Sequence, residues 1–440
     1  MLDYFYALAD EVEALSRGAE VVTCSFAAEE SDFVRFNRGA VRQAGSVTQR
    51  ALTVDLIEGA RHASGTLSLA GVPEADRARL SALVEHLREA RQQLPEDPFL
   101  LYNTSPRSTE RRRRNELPEV GQVLDEIHRA GRGRDVVGVY AGGAIHAGFA
   151  SSLGQRNWYE SFSFNLDWSF HHAADRAVKA SYAGLRWRSE DLERRIESAA
   201  EQVSALARPA LSIRPGRYRV YLAPAALYEI VGLLGWGGFG LRAHRTKTTP
   251  LLRMIEEGAT LHPSVRIVEN TRDGIAPDFQ EAGFLRPERV TLIESGRCRD
   301  CLVSPRSARE YGARTNGASA SETPQSVDVG GGEIAIGSVL RELGTGVYAG
   351  NLWYLNFSDR SACRMTGMTR FATFWVERGA IRAPLRAMRF DETVYRMLGE
   401  NLVGLTAERE MILDPGTYFQ RSVESARLPG ALVDDVTFTL

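Results

Sequence analysis

Lysine is nearly missing from this 440-residue chain: of its 54 basic residues two are lysines, Lys179 and Lys247. A GC-rich genome accounts for such an arginine bias, and no function is read from it. Cysteine is scarce too. Four residues, Cys24, Cys298, Cys301 and Cys363, are too few for a disulfide scaffold. Charge of one sign is not in excess, and a formal net charge of -2 argues against binding nucleic acid through bulk cationic charge. No stretch approaches the ~20 uninterrupted apolar residues of a membrane helix. The longest candidate, 225–241, is broken by Glu229 and by glycines. The opening Met1-Leu2-Asp3-Tyr4 places no basic region ahead of an apolar one, so no secretory signal is expected and the chain reads as cytoplasmic. No histidine is followed by glutamate, so neither HExxH nor HExxxH occurs, and GxSxG is missing. Histidine stops at His262, which leaves the remainder without a triad base.

What is present describes an ordinary folded chain. Hydrophobic residues make up 43% and charged residues 25%, which excludes chain-wide disorder. A chain this long exceeds what one core serves, so two domains are expected. Apolar residues at helical spacing (Phe5, Leu8, Val12, Leu15) predict a helix near the start, and Leu80, Leu83, Val84 and Leu87 predict another over 74–94. Between them, alternation from Val34 to Ile57 with Asn37-Arg38-Gly39 predicts antiparallel strands and a tight turn. Three short strands are expected over 136–140, 145–150 and 158–164, then a helix over 189–206. Pro209 and Pro215-Gly216 mark the boundary, giving domains 1–208 and 215–440. The second half opens with a strand to Leu222 and an apolar helix from Pro224 to Leu234, and is strand-rich thereafter, with a long polar loop over 315–332. Blocks of strands and helices, rather than strict alternation, predict an α+β, antiparallel-sheet-rich fold.

Isolated motifs carry little. Gly235-Trp236-Gly237-Gly238-Phe239-Gly240 matches GxGxxG, but a helical segment stands where a dinucleotide site needs a strand, so a packing loop is expected. Cys298-Arg299-Asp300-Cys301 is a lone CxxC without the second pair of a structural zinc site. Arg111-Arg112-Arg113-Arg114 has no aromatic residue interleaved and reads as a solvated loop rather than a phosphate contact. His171, His172 and Asp175 form the densest group of possible ligands; in a helix His171 and Asp175 would share a face, yet a zinc site wants three protein donors.

Several stretches, in order, resemble the TldD/PmbA family, the modulator-of-gyrase proteins. They are Phe33 to Gln43, Pro215 to Pro224 followed by Ala225 to Leu234, Pro277 to Gly283, Val290 to Gly296 with Ser307 to Gly312 and Thr315-Asn316-Gly317, and Gly346-Val347-Tyr348 with Val376 to Ile381. The resemblance implies a metallopeptidase built from two related subunits. One carries HExxxH on the helix after the Pro-Gly strand, plus a cysteine near the C-terminus: two imidazoles and a thiolate hold zinc while the glutamate activates its water. Here the matching segment is Tyr228-Glu229-Ile230-Val231-Gly232-Leu233, and no cysteine follows Cys363. Tyr228 and Leu233 replace both imidazoles and Glu229 remains as a vestige. The resemblance therefore implies the TldE-like partner: no catalytic residue, metal or cofactor of its own, zinc in an HExxxH-bearing homologue, and a heterodimer. Its substrates would be extended peptides, leader peptides of natural products or small peptide conjugates. The alternatives are a self-sufficient hydrolase with a relocated site (His171, His172 and Asp175, or Cys363 as nucleophile) and a binding or regulatory protein without peptidase work.

Overall fold

The turn expected at Asn37-Arg38-Gly39 closes the longest hairpin of the molecule. Strands β1 (Val21–Asn37) and β2 (Ala40–Glu58) pair antiparallel along their length, and Arg38 and Gly39 take φ of 52° and 68° at the turn. Two successive left-handed residues match the twist of paired strands; Gly39 takes the second of them at no steric cost, and Asn37 is the last residue of β1. The computed structural model describes residues 1–173 and 176–439. The first sheet adds β3 (Arg61–Ser68), β4 (Thr109–Arg112), β5 (Val136–Ser151), β6 (Gln155–Ala173) and β7 (Arg176–Gly184), in the order β3-β2-β1-β5-β6, with β4 and β7 sharing the outer edge of β6.

Where three short strands were expected between 136 and 164, two long ones run. Gly142 and Gly143 fall in the gap between the expected strands 136–140 and 145–150, and they let strands approach: a Cβ at Gly143 would lie 2.1 Å from the Glu30 carbonyl oxygen of the neighbouring strand. The arginine run also differs from its expectation. Arg111 and Arg112 belong to β4, and Arg111 and Arg113 donate to the Thr271, Arg272 and Gly274 carbonyls of the second half, so part of the run is a tie rather than a solvated loop.

Helices α1 (Leu2–Ala14) and α2 (Pro73–Gln93) cover one face of this sheet. Phe5, Leu8, Ala9 and Val12 of α1 are buried, and Phe5 stacks on Phe26 at 5.2 Å and on Trp158 at 6.2 Å. Burying each large apolar side chain contributes roughly 1.5–3 kcal/mol, so these residues, not helix propensity, hold α1 down. Helices α3 (Val120–Ala130) and α4 (Ser189–Leu206) pack in a second core with Tyr140, Phe164, Tyr182 and Trp187. That core also takes in Ala372 and Phe374 from the second half, so packing crosses the proline-marked segment.

The second sheet has eleven strands: β8 (Gly216–Leu222), β9 (Ile267–Glu269), β10 (Val290–Glu294), β11 (Arg297–Cys298), β12 (Ser326–Val329), β13 (Gly346–Asp359), β14 (Arg364–Glu377), β15 (Ala380–Pro384), β16 (Arg389–Thr393), β17 (Leu402–Leu413) and β18 (Ser425–Phe438). Strands β8, β13, β14, β16 and β18 close on themselves, because β18 pairs with both β16 and β8. Strand β12 occupies part of the segment expected to be a loop over 315–332. Helix α5 (Pro224–Gly238) packs on β13 and β18, and the whole arrangement surrounds the largest core.

Candidate functional site

Helix α5 begins where Pro224 can occupy its first turn without losing a hydrogen bond, and ends where Gly237 takes a φ of 77°. A Cβ there would lie 2.6 Å from the movable tip of Arg360, so it is the left-handed conformation that favours glycine. Ala226, Leu227, Ile230, Val231 and Leu234 are at most 2% exposed. The remaining positions, 225, 228, 229, 232, 233 and 236, recur at helical spacing and form the one face not sealed in the core. On it Glu229 and Trp236 are exposed, and Tyr228 and Leu233 are half-buried. The GxGxxG segment is the end of this helix and the turn beyond it.

The wall near this face is charged. Lys179 on β7 and Asp167 on β6 form an ion pair at 3.2 Å. Burial raises the Asp167 carboxyl and Lys179 opposes that rise. The same two influences act on Glu229: burial raises its carboxyl and the Lys179 ammonium draws it back. A third wall is the connection between β17 and β18, residues 414–424. Burial, with the Asp414 and Glu424 carboxylates close by, drives the Tyr228 phenol far above its ordinary value, so it stays neutral. Burial and Asp414 likewise raise Glu424. Val139, Asn165, Asp167, Asp414, Thr417 and Ser422 line the adjoining cavity.

Arg421 fastens this connection to the first sheet. It is 5% exposed. Its guanidinium donates to Ser31 Oγ at 2.9 Å, the Ser163 carbonyl at 2.8 Å and the Gly143 carbonyl at 2.8 Å, and its backbone N–H donates to Glu29 at 3.1 Å. Gln49 reaches the Phe419 carbonyl. Beside these anchors Tyr418 and Phe419 stand 91% and 95% exposed, an aromatic pair at the tip of a tethered flap.

The donor set on α5 does not fit a zinc ion held in the manner the resemblance implies. Leu233 has no lone pair, and a phenol kept neutral is a poor ligand. Among the described residues no three His, Cys, Asp or Glu side chains converge where a metal ion could be held. The other sequence candidates lie elsewhere. His171 and His172 are at the exposed end of strand β6 rather than in a helix, and Asp175 lies outside the described residues. Cys363 is buried in the main core, where desolvation pushes its thiol up to about 12, too high for a nucleophile at neutral pH. Cys298 and Cys301 are half-buried with thiols raised by burial. On the far side of the first sheet, His146 lies between Glu160 at 3.2 Å from Nδ1 and Glu30 at 3.6 Å from Nε2. The two carboxylates face opposite ring nitrogens, so they cannot share one ion with it.

Residues that sequence reasoning passed over are Asp167, Lys179, Asp414, Arg421 and Glu424. One carried a signal: Lys179 is one of two lysines in an arginine-biased chain. The others are brought to α5 by strand pairing.

A family model described as the PmbA/TldA metallopeptidase C-terminal domain matches residues 215–440. No curated protein is similar enough to count as a match. Several solved structures share the fold. One, from Thermotoga maritima and described as a modulator of a DNA gyrase, is 16% identical with a TM-score of 0.78 over 99% of this chain and 100% of that one. TldE from Thermococcus kodakarensis is 13% identical, with a TM-score of 0.78 over 99% and 100%. A modulator-of-DNA-gyrase protein from Bacteroides thetaiotaomicron is 14% identical, with a TM-score of 0.73 over 99% and 98%.

Proposed function

The chain belongs to the PmbA/TldD family, and from that premise we propose that it is a zinc-less subunit of a heteromeric metallopeptidase. One observation carries the reading: on the single open face of α5, Tyr228 and Leu233 occupy the two positions where kin place imidazoles, with Glu229 between them. Without a metal-bound water, Glu229 has no acidified nucleophile to deprotonate. The work left to the chain is to pair with an HExxxH-bearing homologue and to help hold an extended peptide near α5. The sheet wall carrying Asp167 and Lys179 and the Tyr418–Phe419 flap both support that role. An extended peptide can satisfy its backbone against strand edges.

The test is co-expression with an HExxxH homologue and an assay on an unfolded peptide. The pair is expected to cleave, and this chain alone is not. Removing the partner's zinc ligands should abolish cleavage, whereas Glu229→Gln here should leave it within about twofold. Cleavage that survives loss of the partner's ligands, or that the isolated chain performs, overturns the proposal.

A further inference from the structure

A cleft of about 420 Å³, lined in part by Met1 and Tyr4 of the first helical segment, opens on the face of the first sheet that carries His146. That volume suits a small molecule. Strand register sets its floor. Arg50 on β2, Ala28 on β1, His146 on β5 and Glu160 on β6 stand in one row across four strands, and Glu30 lies two residues beyond Ala28 on the same face. Ala28 and Ala144 are small and leave room between the charged side chains. Among the described residues no ion pair joins Arg50 to Glu30 or Glu160, whose one cationic neighbour within salt-bridge distance is His146.

His146 is 4% exposed, and the Trp158 ring lies 5.7 Å from it at 31°, which holds the imidazole in place. Glu160 is 3.2 Å from Nδ1 and Glu30 is 3.6 Å from Nε2, yet neither ring nitrogen forms a hydrogen bond among the described residues. Burial holds the imidazole below its ordinary value; both carboxylates pull the other way, and the Met1 amine also opposes a charge on the ring. A neutral imidazole carries one N–H, so one nitrogen turns a lone pair toward a carboxylate. Two acceptors then face each other without a donor, which is costly in a buried place. An ammonium seated there donates to both. Arg50 supplies the opposite chemistry. Among the described residues its side chain donates through Nε to the Met1 sulfur at 3.3 Å and to nothing else, so its terminal nitrogens are open to a carboxylate. Asp76, behind Tyr4, is already satisfied by the Tyr4 hydroxyl at 2.7 Å and by the Ala70 and Gly71 N–H groups at 2.9 Å. Strands β2 and β5 are two strand spacings, roughly 10 Å, apart. An extended dipeptide spans about 7 Å, so its ends can reach side chains rising from both. The geometry points to a binding site for a zwitterion of dipeptide length, its ammonium between Glu30 and His146 and its carboxylate on Arg50. The site lies on the sheet face opposite α5 and does not depend on the heteromeric reading.

Calorimetry on the purified full-length chain tests this with L-alanyl-L-alanine, its N-acetyl derivative, its C-terminal amide and L-alanine. Alanylalanine is expected to bind, and each blocked form to bind about tenfold more weakly or worse, because each loses one charge-assisted contact. Glu30→Gln should weaken alanylalanine by a similar factor and leave the N-acetyl form unchanged. Arg50→Gln should weaken alanylalanine too and leave the amide unchanged. Neither side chain is buried, and unaltered circular dichroism and Tm will show that both variants fold. No binding of alanylalanine overturns the proposal, as do blocked forms that bind equally well or variants that bind alanylalanine as the wild type does. L-alanine binding as tightly as alanylalanine overturns the assigned length. None of these outcomes touches the metallopeptidase reading, which is assayed by cleavage with the partner.

Discussion

Two groups of carboxylates, one sealed under α2 and one lining the surroundings of α5, show what separates scaffolding from a site in this molecule. Under α2, Glu20 accepts two hydrogen bonds from Arg88 at 2.8 Å each and lies 3.1 Å from Arg91. The bond to Arg88 comes first among the causes that lower its carboxyl from the ordinary 4.5 to about 2. Around α5 the balance is reversed. Asp167, Glu229 and Glu424 are raised, each chiefly by burial, and of these Asp167 and Glu229 share the single ammonium of Lys179. Nearby Glu269 is raised by burial to about 7 despite accepting the Gln325 and Ser326 N–H groups. A fully paired carboxylate stabilises a fold. One left short of cations keeps capacity for a ligand.

The largest effect is expected at the scaffold end of this contrast. Arg88→Ala removes two hydrogen bonds from Glu20 in a site where its side chain is 3% exposed and leaves Arg91 as its remaining cation, and should cost about 3 kcal/mol, read by urea denaturation. Next comes Arg421→Ala, which removes the flap's ties to Ser31, Ser163 and Gly143 and leaves Glu29 buried without its cation. A loss of roughly 2–3 kcal/mol is expected, with new protease cutting within 414–424 as the check.

Opposite pH dependences sharpen the contrast. For Glu20 the folded value lies below the unfolded one, so its stabilisation is full above about 4.5 and disappears as pH falls toward 2. For Glu269 the folded value lies above, so stability falls as pH rises from 4.5 to about 7. Glu269→Gln should remove that slope and gain on the order of 1–3 kcal/mol at pH 8, measured by denaturation across pH. The smallest effect is expected from Glu229→Gln: a change within about 0.5 kcal/mol, since the side chain is open to solvent on one side. A large loss of stability there would contradict its place on the open face.

Local physics made the hairpin at Asn37-Arg38-Gly39, α2, α4 and α5 legible, because turn chemistry and 3.6-residue periodicity act within a few residues. The same reasoning misplaced elements wherever distant strands ruled. The gap expected between 140 and 145 proved a close strand approach at Gly143, and His171 and His172, for which a helix was weighed only as a condition, lie on strand β6. Strands β17 and β18 escaped notice although β18 joins β8, β12, β16 and β17. The candidate site was half visible. Tyr228, Glu229 and Leu233 stand out by their spacing, while nothing near Asp167, Asp414 or Arg421 in the chain announces that they approach α5.

The sequence by itself determined which donors this protein lacks at residues 228 and 233, because a side chain's lone pairs are fixed by its covalent structure. Tertiary structure alone decided which face of α5 stays open, that the phenol of Tyr228 is held neutral, and that Lys179 answers two carboxylates. Burial and Coulombic interaction depend on distances through space, and those are set by strand pairings between residues far apart in the chain.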